Sequence, residues 1–415
     1  MPTLRDRFEE YWEGERDPLV DPPFQPLLVT EEVASGVCFA SSFANATAIE
    51  TERGLVLVDT GSFLLATQIF VWLTAWRDAP AHTIVYTHGH VDHVFGVDKW
   101  ESHAKQRAGR APLVVAHEAV PARFRRYEKT RGYNGCINSR QFKTNVEWPA
   151  HYRDPDVTYR DRIALDVGGE RVELVHAKGE TDDATWVWLP SRKVLCTGDL
   201  FIWAVPNAGN PQKVQRYPAE WAVALREMAT LGAEVLCPGH GVPIWGADRV
   251  RQALTETAEL LEHLVRETLV RMNEGMPLRE IVHEVKVPSA LGARPYLAPI
   301  YDQPEFVVRN VFRLYGGWWD GDPSALEPAP PHTLARELAD AAGGASRLID
   351  RARRLADHGQ LALACHLAQI AGDAAPNDAS IWKERGAIFR QRAGHAVSLM
   401  ARGVYAHAAD EEPRR

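Results

Sequence analysis

The segment His88-Gly-His-Val-Asp-His93 constrains this chain more than any other stretch, because it gathers three imidazoles and a carboxylate in six residues. It follows the run HTIVYT, whose β-branched residues predict a strand. Residues two apart at the end of a strand point the same way, so we expect His88 and His90 to grip one ion. Asp92 and His93 would face a second position, and Gly89 would allow a tight turn. Imidazole with carboxylate predicts a site for zinc, manganese or iron.

Composition narrows the class of protein. The chain has 415 residues, 45% apolar and 25% charged, which is typical of a folded protein with room for one large and one smaller domain. A net charge of −8 argues against a nucleic-acid partner. The N-terminus lacks a signal-peptide pattern, and no apolar run reaches the roughly 18 residues of a membrane span, so we expect a cytoplasmic protein without a membrane partner. The five cysteines form no CxxC pair and predict buried free thiols.

The order of patterns along the chain predicts its organisation. An N-terminal segment, residues 1–26, precedes strand and helix patterns that extend over residues 27–320 and predict the catalytic domain. Within it, residues 247–276 have the apolar spacing of one long amphipathic helix. A Pro- and Gly-rich linker is predicted at residues 321–332, and the Ala-rich residues 333–408 predict a domain of helical hairpins.

The motif that begins at His88 resembles the first signature of the metallo-β-lactamase superfamily, HxHxDH after a strand. The resemblance implies three further metal ligands. Glu180 in VHAKGETDD is in register with the second signature, and His176, four residues earlier, is the competing candidate. Asp199 in VLCTGDLF matches the third signature and would bridge both ions, while His240 in LCPGHGVP matches the fourth.

The chain carries Glu180 where the superfamily usually has His, and in this it resembles the alkylsulfatase branch of the superfamily. HGVPIWG after His240, YGGWWDGDP from Tyr315, and the helical tail, which looks like that branch's dimerisation domain, support the likeness. The resemblance implies an α/β fold, the metallo-β-lactamase αββα sandwich, followed by a small all-α domain. It also implies a homodimer that assembles at least partly through residues 333–408; the alternative is that these helices pack on the catalytic domain of the same chain. Two features depart from the branch: Asp199 stands where its members commonly carry Glu, and we expect no sterol-carrier-like domain of the kind common in the branch.

The implied activity is a binuclear hydrolase that cleaves alkyl sulfate esters through a metal-bound hydroxide. Two divalent ions are expected, zinc before manganese or iron, with Asp92 as the catalytic carboxylate that orients the hydroxide. Asn207, eight residues after Asp199, is the expected sulfate contact. The Arg of the branch is out of register here, which leaves Lys213 and Arg216 as candidates for the sulfate's cationic partner.

Two further sets of residues complete the predicted site. Asp59 in VLVDTG matches a family Asp that supports the ligands from behind. Residues 118–150 are rich in Arg and aromatic residues and read as an irregular connection of the kind that covers active sites. Within it, Tyr133 and Asn134 in the Gly-flanked stretch RGYNGCIN are the best candidates for substrate contacts.

Three alternatives stay open at this point. The same metal site would serve a hydrolase of a lactone, thioester or phosphoester. A redox di-iron protein of the flavodiiron type is less favoured, because those relatives place Glu where this chain has His90 and no flavin-binding pattern is apparent. A metal-binding structural protein without turnover is the third.

Overall fold

A computed structural model describes residues 2–25, 27–107 and 109–412. The strands are β1 (Val29–Ala34), β2 (Val37–Ser41), β3 (Ala46–Thr51), β4 (Gly54–Val58), β5 (Ala81–Val85), β6 (Leu113–His117), β7 (Val157–Tyr159), β8 (Arg162–Val167), β9 (Glu170–Ala177), β10 (Ala184–Leu189), β11 (Val194–Ile202), β12 (Val235–His240) and β13 (Ile244–Trp245). The helices are α1 (Leu4–Trp12), α2 (Ala66–Trp76), α3 (Val97–Gln106), α4 (Val120–Lys129), α5 (Arg131–Phe142), α6 (Pro218–Ala229), α7 (Ala247–Asn273), α8 (Leu278–Glu284), α9 (Ser289–Gly292), α10 (Pro304–Gly316), α11 (Pro331–Ala341), α12 (Ala345–Asp357), α13 (Leu361–Ala374), α14 (Ala379–His395) and α15 (Leu399–Ala409).

The chain divides into two compact units. The first contains Met1–Arg131, Pro149–Met276 and Glu280–Tyr315, and the second contains Gly132–Trp148, Pro277–Arg279 and Gly316–Arg415. The domain limits predicted from the sequence, at residues 27–320 and 333–408, stay a prediction.

Two sheets form the first unit. One has the order β1-β2-β3-β4-β5-β6-β7, antiparallel from β1 to β4 and parallel from β4 to β7. The other has the order β13-β12-β11-β10-β9-β8, in which only β11 and β12 are parallel. The hydroxyls of Tyr159 on β7 and Thr185 on β10 lie 2.6 Å apart and join the sheets. The αββα sandwich implied by the resemblance is thereby confirmed, with α2 and α3 against the first sheet and α6 and α7 against the second.

The strands and helices of this unit follow from their apolar patterns. In β4 the run Leu55–Val58 is buried throughout, as expected of a strand covered on both faces. Ile69 and Leu73 lie one turn apart on α2 and pack with this strand in the same core. Helix α7 begins at Ala247 and ends at Asn273, which confirms the single long amphipathic helix.

The prediction of an irregular connection at residues 118–150 is wrong for most of its length, because α4 and α5 lie there. Val120, Phe124 and Tyr127 are buried on one face of α4 at helical spacing, and Pro121 occupies the first turn, where proline is tolerated. Arg123 is buried on that same face, and its charge interrupted the apolar period that would have predicted the helix.

The second unit is helical, as predicted. Helices α11 to α15 pack in sequence around an Ala-rich core that includes Ala352, Leu355, Ala364 and Ile388. Helix α15 approaches α5 so closely that a Cβ added to Gly403 would collide with the Gln141 carbonyl.

The buried free thiols were predicted correctly at four positions, whereas Cys136 on α5 is exposed. Among the described residues, no helix combines the length and the hydropathy that a membrane span requires.

Candidate metal centre

The candidate ligands lie in or next to the ends of strands, at one edge of the two sheets. Asp59 follows β4, and the His88–His93 loop follows β5. On the second sheet, Glu180 lies between β9 and β10, Asp199 lies within β11, and His240 ends β12. Because these strands are neighbours in their sheets, residues more than 150 positions apart in sequence meet at one place.

The structure brings all seven predicted ligands together. They form three overlapping groups whose ligand atoms lie within 4.8 Å of one another: His88, His93 and Asp199; Asp92, His93 and His240; and His90, Glu180 and Asp199. The competing candidate, His176, belongs to none of these groups. Its ring stacks on His117 at 3.6 Å between centroids, and its Nδ1 lies 2.9 Å from the Ala184 carbonyl.

Asp199 is the most connected of the seven. Its Oδ1 lies 3.3 Å from His93 Nε2 and 3.4 Å from His240 Nε2, and its Oδ2 lies 3.5 Å from His88 Nε2. Three imidazoles therefore converge on one carboxylate that is almost fully buried.

Asp59 orients the histidines from behind. It accepts hydrogen bonds from the Thr87 amide at 2.8 Å and the Thr87 hydroxyl at 2.7 Å, and it lies 2.7 Å from His93 Nδ1. Since the Thr87 hydroxyl donates to Asp59, it accepts from His88 Nδ1 at 3.0 Å. His93 and His88 thus present Nε2 to the centre. Asp59 has a φ of 61°, a left-handed conformation that an ordinary residue adopts only where its surroundings enforce it.

The donor set fits a cation. Among the described residues, His93 Nε2 and Asp199 Oδ1 are buried without a hydrogen-bond partner, which is costly unless a further group satisfies both atoms. Imidazole nitrogens with carboxylate oxygens are ligands of zinc and of the neighbouring divalent metals. More ligands converge than one tetrahedral ion uses, which agrees with a two-ion centre.

The electrostatics favour the neutral, metal-binding forms of His88 and His90. At His93 and His240, burial is outweighed by nearby carboxylates, Asp199 first, which raise the pKa of both rings. Burial lowers the pKa of His88 to about 4, and the nearby charge of His93 acts in the same direction. Burial, together with His88, holds the pKa of His90 well below its ordinary value. Both rings are therefore neutral near pH 7, as metal ligation requires. Burial raises the pKa of Glu180 to about 7, and the Arg216 guanidinium opposes that shift.

The predicted sulfate contacts lie beside Glu180. Asn207 Nδ2 donates to Glu180 Oε1 over 2.6 Å, and Arg216 forms an ion pair with the same carboxylate. Arg216 is 3% exposed; its Nη1 contacts Glu180, while its Nε has no hydrogen-bond partner within the described part of the chain. Burial, with the charge of Arg216, lowers the pKa of Lys213 to about 8.

Tyr133 and Asn134 lie on α5 in the second unit, where Tyr133 is exposed and Asn134 is buried. Their contacts with a substrate stay a prediction.

Sequence reasoning missed three residues of the centre or its support. Thr87 carries no signal except its place directly before the motif. Asp183 holds the amide of Gly89, and only the acidic run TDD hinted at it. Tyr301 had no signal at all. Burial, with the negative charges of Glu180 and other acidic ligands, raises its pKa well above the ordinary value.

Two family models match the chain. The metallo-beta-lactamase superfamily model matches residues 41–240, a span that contains every candidate ligand. The alkyl sulfatase dimerisation model matches residues 278–414. The superfamily implies divalent metal ions, in agreement with the ligand groups above.

Curated relatives and solved structures agree with these matches. The chain is 28% identical to a linear primary-alkylsulfatase of Pseudomonas sp. (strain ATCC 19151) over 72% of this chain and 61% of that protein. It is 29% identical to an (R)-specific secondary-alkylsulfatase of Pseudomonas sp. over 81% of this chain and 55% of that protein. The chain therefore spans little more than half the length of these relatives.

The solved structure of the stereoselective inverting sec-alkylsulfatase Pisa1 from Pseudomonas sp. has the same fold. It superimposes with a TM-score of 0.82 at 24% identity, covering 92% of this chain and 65% of that one. The chain thus contains a region that matches the metallo-beta-lactamase superfamily and a region that matches the alkyl sulfatase dimerisation family, and the curated relatives that it resembles are alkylsulfatases.

Proposed function

We propose that this chain is a binuclear metal-dependent hydrolase of alkyl sulfate esters. The proposal rests on the surroundings of Glu180. The carboxylate of this proposed metal ligand contacts the buried guanidinium of Arg216 and accepts a hydrogen bond from the side-chain amide of Asn207. A buried guanidinium whose Nε–H has no partner among the described residues is suited to a singly charged oxyanion such as a sulfate monoester. The sulfatase relatives point to the same substrate class.

The candidate ligands would hold two metal ions. His90 and Glu180 would hold one ion, and Asp92, His93 and His240 the other, with Asp199 shared. His88 would join His90 at the first ion, as the spacing of the motif predicts. When bound, such ions polarise the ester and bring the pKa of a water toward neutrality. We expect zinc, with manganese or iron as the alternatives, and elemental analysis of purified protein distinguishes them.

The chain's own side chains supply the rest. Asp92 has a side chain that is 22% exposed, against 6% for Glu180 and 7% for Asp199, so it is the ligand carboxylate best placed to orient an attacking water. Arg216, with Lys213 nearby, would offset the negative charge of the sulfate, and Asn207 would donate to one of its oxygens. Asp59 keeps the imidazoles in the tautomer that binds metal.

A substrate panel tests the proposal. Protein loaded with zinc or manganese is assayed against alkyl sulfates of several chain lengths, a phosphoester, a lactone and a thioester. We expect turnover of primary or secondary alkyl sulfates. If these remain untouched while another ester is cleaved, the sulfate assignment is wrong and the binuclear hydrolase assignment stands.

Replacing Arg216 with alanine is expected to slow the hydrolysis of alkyl sulfates at least about tenfold, because a charge-assisted contact contributes roughly 1.5–3 kcal/mol. Asn207→Ala should act in the same direction more mildly. The measurement is kcat/KM with metal content determined in parallel. Arg226→Ala, a surface arginine paired with Glu262, is the control and should leave both quantities unchanged. Unaltered kcat/KM in Arg216→Ala would remove that residue from the sulfate site.

We also propose that the chain is a homodimer joined through the second unit. Leu334 and Leu338, one turn apart on α11, are 52% and 43% exposed, and Leu363 on the neighbouring α13 is 49% exposed. Exposed leucines on two helices in contact are unfavourable in water unless a partner covers them. Light scattering at micromolar concentration should give twice the chain mass of 46.3 kDa, and a monomer mass would refute the dimer. The cytoplasmic location stays a prediction, which fractionation of the source cells tests.

A further inference from the structure

A buried ion pair joins helix α4 to the loop that carries Glu180. Arg123 Nε donates to Asp183 Oδ2 over 2.6 Å, and the same guanidinium contacts Asp182 through Nη2. The side chain of Arg123 is 2% exposed and that of Asp183 is 0% exposed. Two charges removed from water to this extent need each other, so neither side chain can move without the other.

Asp183 also contacts the HxHxDH motif. Its Oδ2 accepts the amide of Gly89, the residue between His88 and His90, at 3.2 Å. A second bond joins the same two segments, since the Thr185 amide donates to the Thr87 carbonyl over 2.7 Å. The loop of His88 and His90 is thus fixed directly against the loop of Glu180.

The ion pair also explains why position 89 is a glycine. The chain bends at Gly89, as expected, yet Gly89 is absent from the described glycines with positive φ, so a left-handed backbone does not explain the residue. Space is the constraint instead. A Cβ at this position would lie 2.9 Å from Arg123 Cδ and 3.1 Å from Asp183 Oδ2. A side chain would therefore push the ion pair away from the histidine loop.

We propose that Arg123 and Asp183 are positioning residues that hold His90 close to Glu180. They would thereby shape the metal position that these two ligands share with Asp199. The inference rests on the ligand set in the proposed function, and it is independent of the substrate. The other metal position has different support. Its ligands His93 and His240 are oriented by Asp59 and by the Phe43 carbonyl, and none of the ion-pair contacts described above reaches them.

Stepwise zinc binding tests the proposal. Metal-stripped full-length protein is titrated with zinc in competition with a chromophoric chelator, which gives a dissociation constant for each ion. Arg123→Met keeps the length of the side chain and removes its charge. We expect the affinity of one ion to fall about tenfold or more, as for other residues that support metal ligands, while the other ion binds within twofold of wild type. Arg123→Lys should recover part of the loss.

The matched control is Arg125→Met on the same helix. Arg125 is 47% exposed and pairs with Glu128 and Asp154 at the surface, so both affinities should be unchanged. Asp183→Asn provides a second variant, because it weakens the pair with Arg123 yet leaves an oxygen for the Gly89 amide. Wild-type affinities in a folded variant overturn the proposal. Equal loss at both positions, or unfolding of both variants, assigns the pair a merely structural role and overturns it too. Sulfate hydrolysis is not the readout, so failure of the substrate assignment is distinguishable.

Discussion

Replacing Asp199 with asparagine is expected to lower kcat/KM by on the order of a thousandfold, equivalent to roughly 4 kcal/mol of transition-state stabilisation. The carboxylate belongs to two of the three ligand groups, and both of its oxygens lie within 3.5 Å of imidazole nitrogens. Asparagine keeps the shape of the side chain and removes the charge that a shared ligand supplies to two cations. Both ions should therefore bind more weakly, with catalysis lost in parallel.

The measurement pairs steady-state kinetics with metal content. Asp166→Asn is the matched control, because Asp166 is exposed on β8 of the same sheet and should tolerate the change. An Asp199→Asn protein that keeps both ions and more than a tenth of the activity would show that this carboxylate is not the shared ligand.

Replacing Arg385 with alanine is expected to lower the free energy of unfolding of the second unit by about 3 kcal/mol. Its side chain is 2% exposed, donates twice to Gln369 Oε1, and also donates to the Ala408 carbonyl and to Glu411. The guanidinium also lies 4.8 Å from the centroid of the Trp382 ring. Alanine leaves these acceptors unsatisfied and opens a cavity beneath α15.

Urea unfolding of the full chain, followed by circular dichroism, measures this loss. Arg390→Ala is the matched control on the same helix, since Arg390 is 64% exposed and pairs only with the exposed Asp410 among the described residues. It should cost less than about 1 kcal/mol. Equal effects of the two substitutions would mean that Arg385 does not hold the end of the chain in place.

The sequence predicted the structure best where residues of one chemical type recur at the spacing of a strand or a helix. The HxHxDH motif could be recognised without tertiary information, because its candidate ligands are one or two positions apart at the end of a strand. Helix α7 was predictable for the same kind of reason, since its apolar period continues for 27 residues. Glu180, Asp199 and His240 were identified only through resemblance, because a single acidic or imidazole side chain after a strand has no local signal of its own.

The wrong prediction at residues 118–150 has a physical cause, which is a buried charge inside an apolar period. Arg123 lies on the buried face of α4, so its charge hid a helix whose apolar residues were otherwise in register. The partner that makes this burial possible, Asp183, is 60 residues away in sequence. Gly89 shows the same limit, because the atoms that leave no room for a side chain there belong to that distant pair.

The most direct test of the account is a zinc titration of metal-stripped protein with sulfate release from an alkyl sulfate as the readout. We propose that seven ligands of one chain form a centre for two ions and that this centre hydrolyses sulfate esters. The rate is therefore expected to rise until two equivalents of zinc per chain are bound and then to remain constant. A full rate at one equivalent, or no sulfate release with two ions bound, would contradict it.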